Sequence, residues 1–330
     1  MGQVEQPLGL QVLQENQNQV LWNTLIAESR RLDRERAKQL SRALESPESL
    51  EQHLVALNNK YRKIIGTFPT KTTLNARITG RLNGHRYRVE KVLFESLPNH
   101  HVTALLYLPS KGSGPWPGVL FACGHSANGK AYPAYQTACA LLAQKGFVVL
   151  SYDPISQGER IQQPKAYRYG TTTHTLLNHG SRLVGRSVVW YSAWDGMRSI
   201  DYLLSRPEVD NSKKIGMTGT SGGGTQTTFL MALDDRIGPA APSCYTMQRT
   251  DKFLGHSGPA DGCQHLALEG LNGIDHIDYT LMRIPRPTNI LAATRDFFEI
   301  SSTREAILDA KAAFSTLGHN KKFSYYECDA

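Results

Sequence analysis

The spacing of hydrophobic residues changes along the chain, and each spacing predicts a different kind of element. From about residue 10 to 65, apolar side chains recur at helical intervals, for example at Leu40 and Leu44, which predicts an N-terminal pair of helices. The period then becomes two. Residues 86–95 and 102–108 alternate between apolar and polar side chains, which predicts a pair of antiparallel strands.

Beyond Pro117, short apolar runs alternate with helical patterns, which is typical of a doubly wound, mainly parallel sheet. The predicted strands are 118–123, 147–153, 214–218, 288–294 and 322–328, and the predicted helices are 134–145, 194–205, 222–233 and 303–317. Two stretches, 155–190 and 245–287, are rich in glycine, histidine and polar residues, and we expect them to form lids or pocket walls. This organisation predicts a helical extension over 1–70 and an α/β domain over 71–330.

Composition and charge exclude several classes of protein. Of the 330 residues, 40% are hydrophobic and 20% are charged, which is unlike a disordered chain. No apolar run approaches the roughly 20 residues of a membrane-spanning helix. The formal net charge is +8, but the densest basic run, 30–36, alternates with acidic residues as a solvated helix face does. We therefore expect no nucleic-acid partner, although a basic surface permits an acidic substrate.

The five cysteines form no CxxC pair and have no zinc-finger spacing, and we expect neither a metal nor a cofactor. Cys244 and Cys263 flank a loop-rich segment and could form a disulfide if the protein is exported, which the sequence leaves open. Met1 and Gly2 precede a polar, glutamine-rich stretch that looks like an expression start in place of a removed leader. The protein would then be periplasmic or secreted, and otherwise cytoplasmic. The oligomeric state is not indicated.

Two glycine-rich turns are candidates for chemistry. The first, 124–131, follows a predicted strand and nearly matches a phosphate-binding loop, with Lys130 as its lysine. Such a loop needs a serine or threonine hydroxyl after the lysine to hold Mg²⁺, and Ala131 has none. We therefore expect no nucleotide at this turn.

The second turn, 219–223 (GTSGG), lies between a predicted strand and a predicted helix. A nucleophilic serine stands on such a tight turn so that its hydroxyl projects above the sheet. Glycine at the flanking positions avoids a clash with the neighbouring strand and helix. This context predicts Ser221 as a nucleophile, and the alternative is an ordinary Gly-Ser turn that begins a helix.

A serine nucleophile needs a base to take its proton and an acid to orient that base. Asp296 directly follows the predicted strand 288–294, which is the position expected of the acid, with Glu299 and Asp251 as alternatives. The base belongs in the loop after the last strand, where the sequence ends at Ala330. We therefore expect the histidine beyond Ala330, in a chain cut off before its catalytic loop.

Five segments carry a more specific pattern. They are 123–130 (CGHSANGK), 151–160 (SYDPISQGER), 194–203 (WDGMRSIDYL), 219–223 (GTSGG) and 293–298 (ATRDFF). In these segments the chain resembles bacterial α/β-hydrolase serine esterases of the acetyl-xylan-esterase-like and dienelactone-hydrolase-like kind.

The resemblance implies an α/β-hydrolase fold and a Ser-His-Asp esterase that acts on an acyl or methyl ester of a polysaccharide or oligosaccharide. It also implies an oxyanion hole made by the backbone N–H groups of Gly222 and His125. The catalytic histidine of such enzymes follows the last strand in a Pro-His-Gly turn. Two other functions stay open: a non-catalytic carbohydrate-binding relative of this fold, and a serine peptidase.

Polar residues of the stretch 245–287 are candidates for contact with sugar hydroxyls, namely His256, Asp261, Glu269 and His276. The stretch contains no HExxH pattern and no ligand pair with convincing spacing, so we expect no metal there. The alternative is a surface loop whose polar residues serve caps and turns.

Overall fold

The structure is a computed structural model and describes residues 19–165, 170–254, 261–296 and 298–329. Within these residues, nine strands form one sheet. The strands are β1 (Arg77–Gly84), β2 (Tyr87–Leu97), β3 (His100–Pro109), β4 (Gly118–Ala122), β5 (Val148–Tyr152), β6 (Ile215–Thr220), β7 (Ile237–Ser243), β8 (Thr288–Ala293) and β9 (Phe323–Cys328). The helices are α1 (Val20–Ala43), α2 (Pro47–Ile65), α3 (Pro133–Gln144), α4 (Gly170–Leu183), α5 (Val188–Leu204), α6 (Gly222–Leu233), α7 (Arg249–Leu254), α8 (Asp278–Leu281) and α9 (Ile300–Thr316).

The strand order is β1-β2-β3-β5-β4-β6-β7-β8-β9. Strands β1, β2, β3 and β5 are antiparallel neighbours, whereas all neighbours from β5 to β9 run parallel. The predicted doubly wound, mainly parallel sheet with antiparallel first strands is therefore confirmed. The winding reverses beside β4, because β5 and β6 lie on opposite sides of it. Open α/β sheets bind their ligands beyond the carboxyl ends of the strands at such a reversal.

Helices cover both faces of the central strands. On one face, Leu203 of α5 and Leu230 of α6 pack in the same buried cluster as Leu120 of β4. On the other face, Cys139 of α3 packs in a second cluster with Phe121. Burial on both sides explains why β4 and β5 appear in the sequence as continuous apolar runs. No helix in the described part of the chain is long and apolar enough to cross a membrane.

The two N-terminal helices are separated where the sequence predicts a stop and a restart. The Ser46 hydroxyl accepts a hydrogen bond from the Ser49 amide at 3.1 Å, and Pro47 occupies the first turn of α2, where its missing N–H costs nothing. The guanidinium of Arg36 in α1 contacts Asp278 of α8 at 2.7 Å through two nitrogens. The division into a 1–70 extension and a 71–330 domain stays a prediction.

Two elements differ from the sequence pattern. Strand β7 is not predicted, because Pro239 and Pro242 lack the N–H groups that a strand inside a sheet needs. It nevertheless lies between β6 and β8, and the ladder to β8 is sparse. Helix α5 begins at Val188, well before the predicted residue 194. Its start is marked by Ser187, whose hydroxyl accepts from the Trp190 amide at 3.1 Å.

Each of the two polar stretches contains helices. The first holds α4 and the start of α5, and the second holds α7 and α8. Residues 166–169 and 255–260 of these stretches lie outside the described residues. A role of either stretch as a lid stays a prediction.

Candidate active site

Ser221 occupies the turn between β6 and α6. Its backbone angles are φ 56° and ψ −120°, which residues with a side chain adopt rarely and only when the surroundings impose them. This is the sharp strand-to-helix turn that the sequence predicts for a nucleophile. The assignment of Ser221 as the nucleophile itself stays a prediction.

The glycines beside Ser221 have no room for a side chain. A Cβ on Gly219 or Gly223 would fall on the backbone carbonyl oxygen of Ala122 in β4. A Cβ on Gly222 would lie 2.9 Å from the imidazole carbon Cε1 of His125. The turn therefore packs directly against the end of β4.

The two residues proposed for the oxyanion hole are neighbours in space. Ala122 pairs with Gly219 in the β4–β6 ladder, so the turn after β4 lies beside the turn after β6. The His125 ring packs against Gly222, as the 2.9 Å clearance shows. Gly222 is the first residue of α6, and the amides of a first helical turn have no partner inside the helix. Their role as oxyanion donors stays a prediction.

Asp296 follows β8 and lies beside a cysteine that links it to the Ser221 turn. Burial raises the pKa of the Cys244 thiol, and Asp296, within hydrogen-bonding reach, raises it further. Cys244 comes directly after β7, and the preceding Ser243 carbonyl accepts from the Ser221 amide at 2.9 Å. Because β7 intervenes, Asp296 follows the second strand after the nucleophile strand and not the next one. Its role as the acid stays a prediction.

The two alternative acids have other partners. Asp251 accepts a hydrogen bond from the Ser302 hydroxyl at 2.6 Å. Glu299 directly precedes α9, and its carbonyl accepts from the Thr303 amide at 3.1 Å. Both residues therefore serve the start of α9 and its contact with α7.

A cluster of titratable groups surrounds the His125 ring. Its Nε2 is 3.1 Å from Nδ1 of His174 and 3.2 Å from Sγ of Cys263, and its Nδ1 is 3.7 Å from the Asp261 carboxylate. Burial, with smaller contributions from His174 and Lys252, lowers the pKa of His125 to about 3. The imidazole is therefore neutral at ordinary pH. Of this cluster, sequence patterns indicated only His125 and Asp261 as site residues.

Lys252 is a buried lysine that no sequence pattern indicated. Its ammonium donates to the side-chain oxygen of Gln264 at 2.6 Å and lies 4.5 Å from the ring centre of Tyr245 and 4.7 Å from that of Phe298. Burial lowers its pKa to about 7, against the opposing influence of Cys263 and nearby carboxylates. A single lysine in a short helix gives no signal in a sequence, since only the tertiary structure buries it.

The residues predicted to contact a sugar lie in different environments. Asp261 is half-buried beside His125, and burial raises its pKa to about 6. Glu269 is buried and accepts a hydrogen bond from the Tyr279 hydroxyl at 3.1 Å, while His276 is fully buried against the Tyr245 ring. Both side chains lie in the interior, and a role in contact with a sugar stays a prediction for them. His256 lies outside the described residues.

The glycine-rich turn 124–131, which nearly matches a phosphate-binding loop in sequence, contains an ion-pair network. The Lys130 side chain is buried, and its ammonium contacts Asp153 and Glu159, each at 2.5 Å. Asp153 also accepts from the Lys130 amide at 2.8 Å. The lysine therefore pairs with two carboxylates and joins the turns that follow β4 and β5.

Cys244 and Cys263 are free thiols, so the disulfide left open by the sequence is absent between them.

A groove of about 500 Å³ lies away from Ser221, on a sheet face lined by residues such as Gly216, Thr218 and Ala241. None of the predicted site residues lines that groove.

Comparisons with solved structures agree with this fold. BF1801 of Bacteroides fragilis, described provisionally as an acetyl xylan esterase, superposes with a TM-score of 0.70 at 17% identity, over 86% of this chain and 76% of its own. The methylesterase BT1017 superposes with a TM-score of 0.71 at 22% identity, over 90% of this chain and 64% of its own. Identities this low show a shared fold, and the predicted α/β-hydrolase fold is confirmed.

Sequence comparisons identify the family. YtaP of Bacillus subtilis (strain 168), provisionally named a hydrolase, is 24% identical over 193 residues, which is 55% of this chain and 61% of that protein. The chain thus spans less than two thirds of this curated relative. The family model for acetyl xylan esterase (AXE1) matches residues 72–247, a stretch that includes His125 and Ser221. Because this match covers more than half of the sequence, the chain belongs to the acetyl xylan esterase (AXE1) family.

Proposed function

We propose that this protein is a serine esterase that hydrolyses an acyl or methyl ester carried by a polysaccharide or oligosaccharide. The observation that carries the proposal is the strained turn at Ser221, which stands at the carboxyl end of β6 and packs against the turn at His125. The family supports an acyl ester, and the name of the methylesterase BT1017 supports a methyl ester as the second possibility.

In this reaction the Ser221 oxygen attacks the ester carbonyl carbon, and the carbonyl oxygen becomes an oxyanion. The amides of Gly222 and His125 donate to that oxyanion, and one such donor lowers the barrier by about 3–4 kcal/mol. The alcohol leaves, and water then hydrolyses the acyl-enzyme. The proton of Ser221 goes to a histidine base, as the sequence resemblance implies, and Asp296 orients that base.

The test uses the complete gene product with an aryl acetate, acetylated xylan, methyl-esterified pectin and a fluorophosphonate probe. Ser221→Ala should abolish labelling and lower hydrolysis about a millionfold. Ser212→Ala is the matched control, because Ser212 is exposed before the start of β6 and should change neither.

Two results would contradict the proposal. Labelling that persists in Ser221→Ala would place the nucleophile elsewhere. A wild-type protein that binds the polysaccharide but hydrolyses none of the esters would favour the non-catalytic alternative.

A further inference from the structure

Three side chains from distant parts of the sequence meet beside the Ser221 turn. His125 lies in the turn after β4, His174 in α4, and Cys263 in the loop between α7 and α8. His125 Nε2 is 3.1 Å from His174 Nδ1 and 3.2 Å from Cys263 Sγ, and the three atoms all lie within 4.8 Å of one another. Imidazole nitrogens and a cysteine sulfur are the preferred ligands of zinc in proteins.

The separations suit a tetrahedral ion. A zinc ion about 2.0–2.1 Å from each nitrogen and about 2.3 Å from the sulfur holds those ligand atoms roughly 3.3–3.6 Å apart. The two short separations in the cluster are only slightly smaller. The third separation, between His174 Nδ1 and Cys263 Sγ, lies within 4.8 Å. Small movements of the three side chains would bring all the separations to tetrahedral values.

The groups behind the two histidines orient them as metal ligands. His174 Nε2 lies 2.6 Å from the carbonyl oxygen of Ile155, so it carries the proton, and the lone pair of Nδ1 faces the cluster. Metal-binding histidines commonly hold their second nitrogen on a carbonyl or a carboxylate in this way. The carboxylate of Asp261 lies 3.7 Å from His125 Nδ1, which is longer than a hydrogen bond, and would have to approach the ring to hold it in the same way.

The tautomer of His125 favours an ion over a hydrogen bond. The Nδ1 lone pair of His174 requires a proton on His125 Nε2 if the two rings are hydrogen-bonded to each other. That tautomer would turn a second lone pair, on His125 Nδ1, toward the Asp261 carboxylate. A metal ion removes the conflict, because it accepts both ring lone pairs and leaves the proton on Nδ1 facing Asp261.

The loop that carries Cys263 is pressed against α4. A Cβ on Gly262 would lie 2.7 Å from Cβ of Asn178 and 2.9 Å from the backbone oxygen of His174. The glycine therefore permits the close approach that brings the cysteine and the histidine together. An ion bound by His125, His174 and Cys263 would therefore link three separate segments of the chain.

We propose that His125 Nε2, His174 Nδ1 and the Cys263 thiolate bind a zinc ion, with water in the fourth position. Binding exchanges the thiol proton of Cys263 for the metal, and the proton is released to solvent. The ion would tie the turn after β4 to α4 and to the 261–263 loop, beside Gly222. This departs from the sequence expectation of no metal, because the ligands come from separate segments and form no motif. The proposal goes beyond the esterase function and does not depend on it.

The test measures metal uptake by the resting protein, without substrate. Chelator-treated protein should bind about one equivalent of Zn²⁺ with release of protons. With Co²⁺ it should show the visible bands of a tetrahedral site and a thiolate-to-cobalt charge-transfer band. Cys263→Ser should remove the charge-transfer band, and His174→Ala should weaken uptake at least tenfold. Asp261→Asn should weaken it about ten- to hundredfold, as the loss of a group behind a ligand does.

The controls remove the same residue types elsewhere. Cys328→Ser in β9 and His319→Ala after α9 should bind zinc as the wild type does. If Cys263→Ser and His174→Ala both took up zinc as tightly as the wild type, the proposal would be overturned, since the ion would then bind elsewhere. Wild-type protein that takes up no zinc, or that binds cobalt without the charge-transfer band, would also overturn it, whether or not the variants fold.

Discussion

The backbone conformation of Ser221 is strained, and such a conformation destabilises the folded state by about 1–3 kcal/mol for any residue other than glycine. The surrounding structure maintains it through two hydrogen bonds. The Ser221 amide donates to the Ser243 carbonyl, and its own carbonyl accepts from the Thr225 amide, both at 2.9 Å. The first bond belongs to the edge between β6 and β7 and the second to the first turn of α6. The turn is therefore imposed by its neighbours on both sides.

Gly223→Ala tests how tightly the Ser221 turn is packed. The added Cβ would fall on the Ala122 carbonyl oxygen, and β4 cannot move away because it is paired on both edges. We expect the free energy of unfolding to fall by about 1–3 kcal/mol, the usual cost of overpacking. Urea denaturation monitored by tryptophan fluorescence measures it.

Gly180→Ala is the matched control for this substitution. Gly180 lies in α4, and an added Cβ would meet nothing within 4 Å. Alanine is favoured over glycine in a helix by about 0.5–1 kcal/mol, so this variant should be at least as stable as the wild type. Equal stability of the two variants would show that the contact between Gly223 and β4 has room for a Cβ.

At the scale of elements, α1 is attached to the α/β core by a buried ion pair. Arg36 contacts Asp278 through two nitrogens at 2.7 Å and Asp309 at 2.8 Å. The side chain of Arg36 is 10% exposed and that of Asp278 only 1%. Two such buried charges are tolerated because each satisfies the other.

Arg36→Ala should destabilise the whole protein. The substitution leaves the Asp278 carboxylate buried without its counter-charge, and removal of one partner of a buried pair costs about 3–5 kcal/mol. Urea denaturation should show a lower midpoint for the entire unfolding transition.

Arg31→Ala, on the same helix, is the control. Arg31 also contacts two carboxylates, Glu28 and Glu35, but its side chain is 44% exposed. Exposed pairs contribute little, so the midpoint should hardly change. If both arginine variants unfold like the wild type, α1 is not stabilised through Arg36.

Local periodicity predicts most of this fold, and β7 shows where it fails. The runs that became β4, β5 and β8 are apolar and short, so a local pattern suffices. Strand β7 contains Pro239 and Pro242, which argue against a strand. Its position is set by β6 and β8 on either side, and that information is not local.

The same distinction divides the residues of the site. The turn at Ser221 is predictable, because a strand, a glycine-flanked serine and a helix follow one another in the sequence. His174, Lys252 and Cys263 are not, since each comes from a different segment and none has a motif. Only the packing of α4 and α7 over the sheet brings them to His125.

For the molecule as a whole, the common direction of the central strands places the candidate site residues together at the carboxyl ends of those strands. The strands β4, β6, β7 and β8 are parallel, so their carboxyl ends lie together. The residues that follow these ends are His125, Ser221, Cys244 and Asp296. This arrangement agrees with the general position of ligand sites in open α/β sheets.

Two buried aspartates contribute to the stability of the whole molecule with opposite dependence on pH. Burial raises the pKa of Asp275 from 3.8 to about 6, although Arg36 and Arg249 oppose the change. Burial also raises the pKa of Asp195. Its contacts with Arg160, His100 and Ser96 lower that pKa by more, so the resulting pKa lies below 3.8. The folded state therefore binds the proton of Asp275 more tightly than the unfolded chain does, and that of Asp195 less tightly.

Asp275→Asn should stabilise the protein at neutral pH. Below about pH 4, Asp275 is protonated in both the folded and the unfolded state and does not lower the free energy of unfolding. As pH rises from about 4 to 6, the unfolded chain releases the proton first, and the free energy of unfolding falls. The difference between pKa 3.8 and about 6 corresponds to about 3 kcal/mol. Asparagine keeps an oxygen to accept from the Arg249 amide, now 2.9 Å from Asp275, so the variant should gain up to that amount at pH 7.

Asp195→Asn supplies the opposite sign under the same conditions. Its carboxylate stabilises the folded state above about pH 4 and loses that effect as pH falls, because the folded pKa is the lower one. The variant should therefore be less stable than the wild type at pH 7, where it leaves Arg160 without its partner at 2.8 Å, and the deficit should shrink toward pH 3. Urea denaturation of both variants from pH 3 to 8 measures these differences. A gain for Asp275→Asn that does not change between pH 4 and 6 would mean that titration of this carboxyl is not its cause.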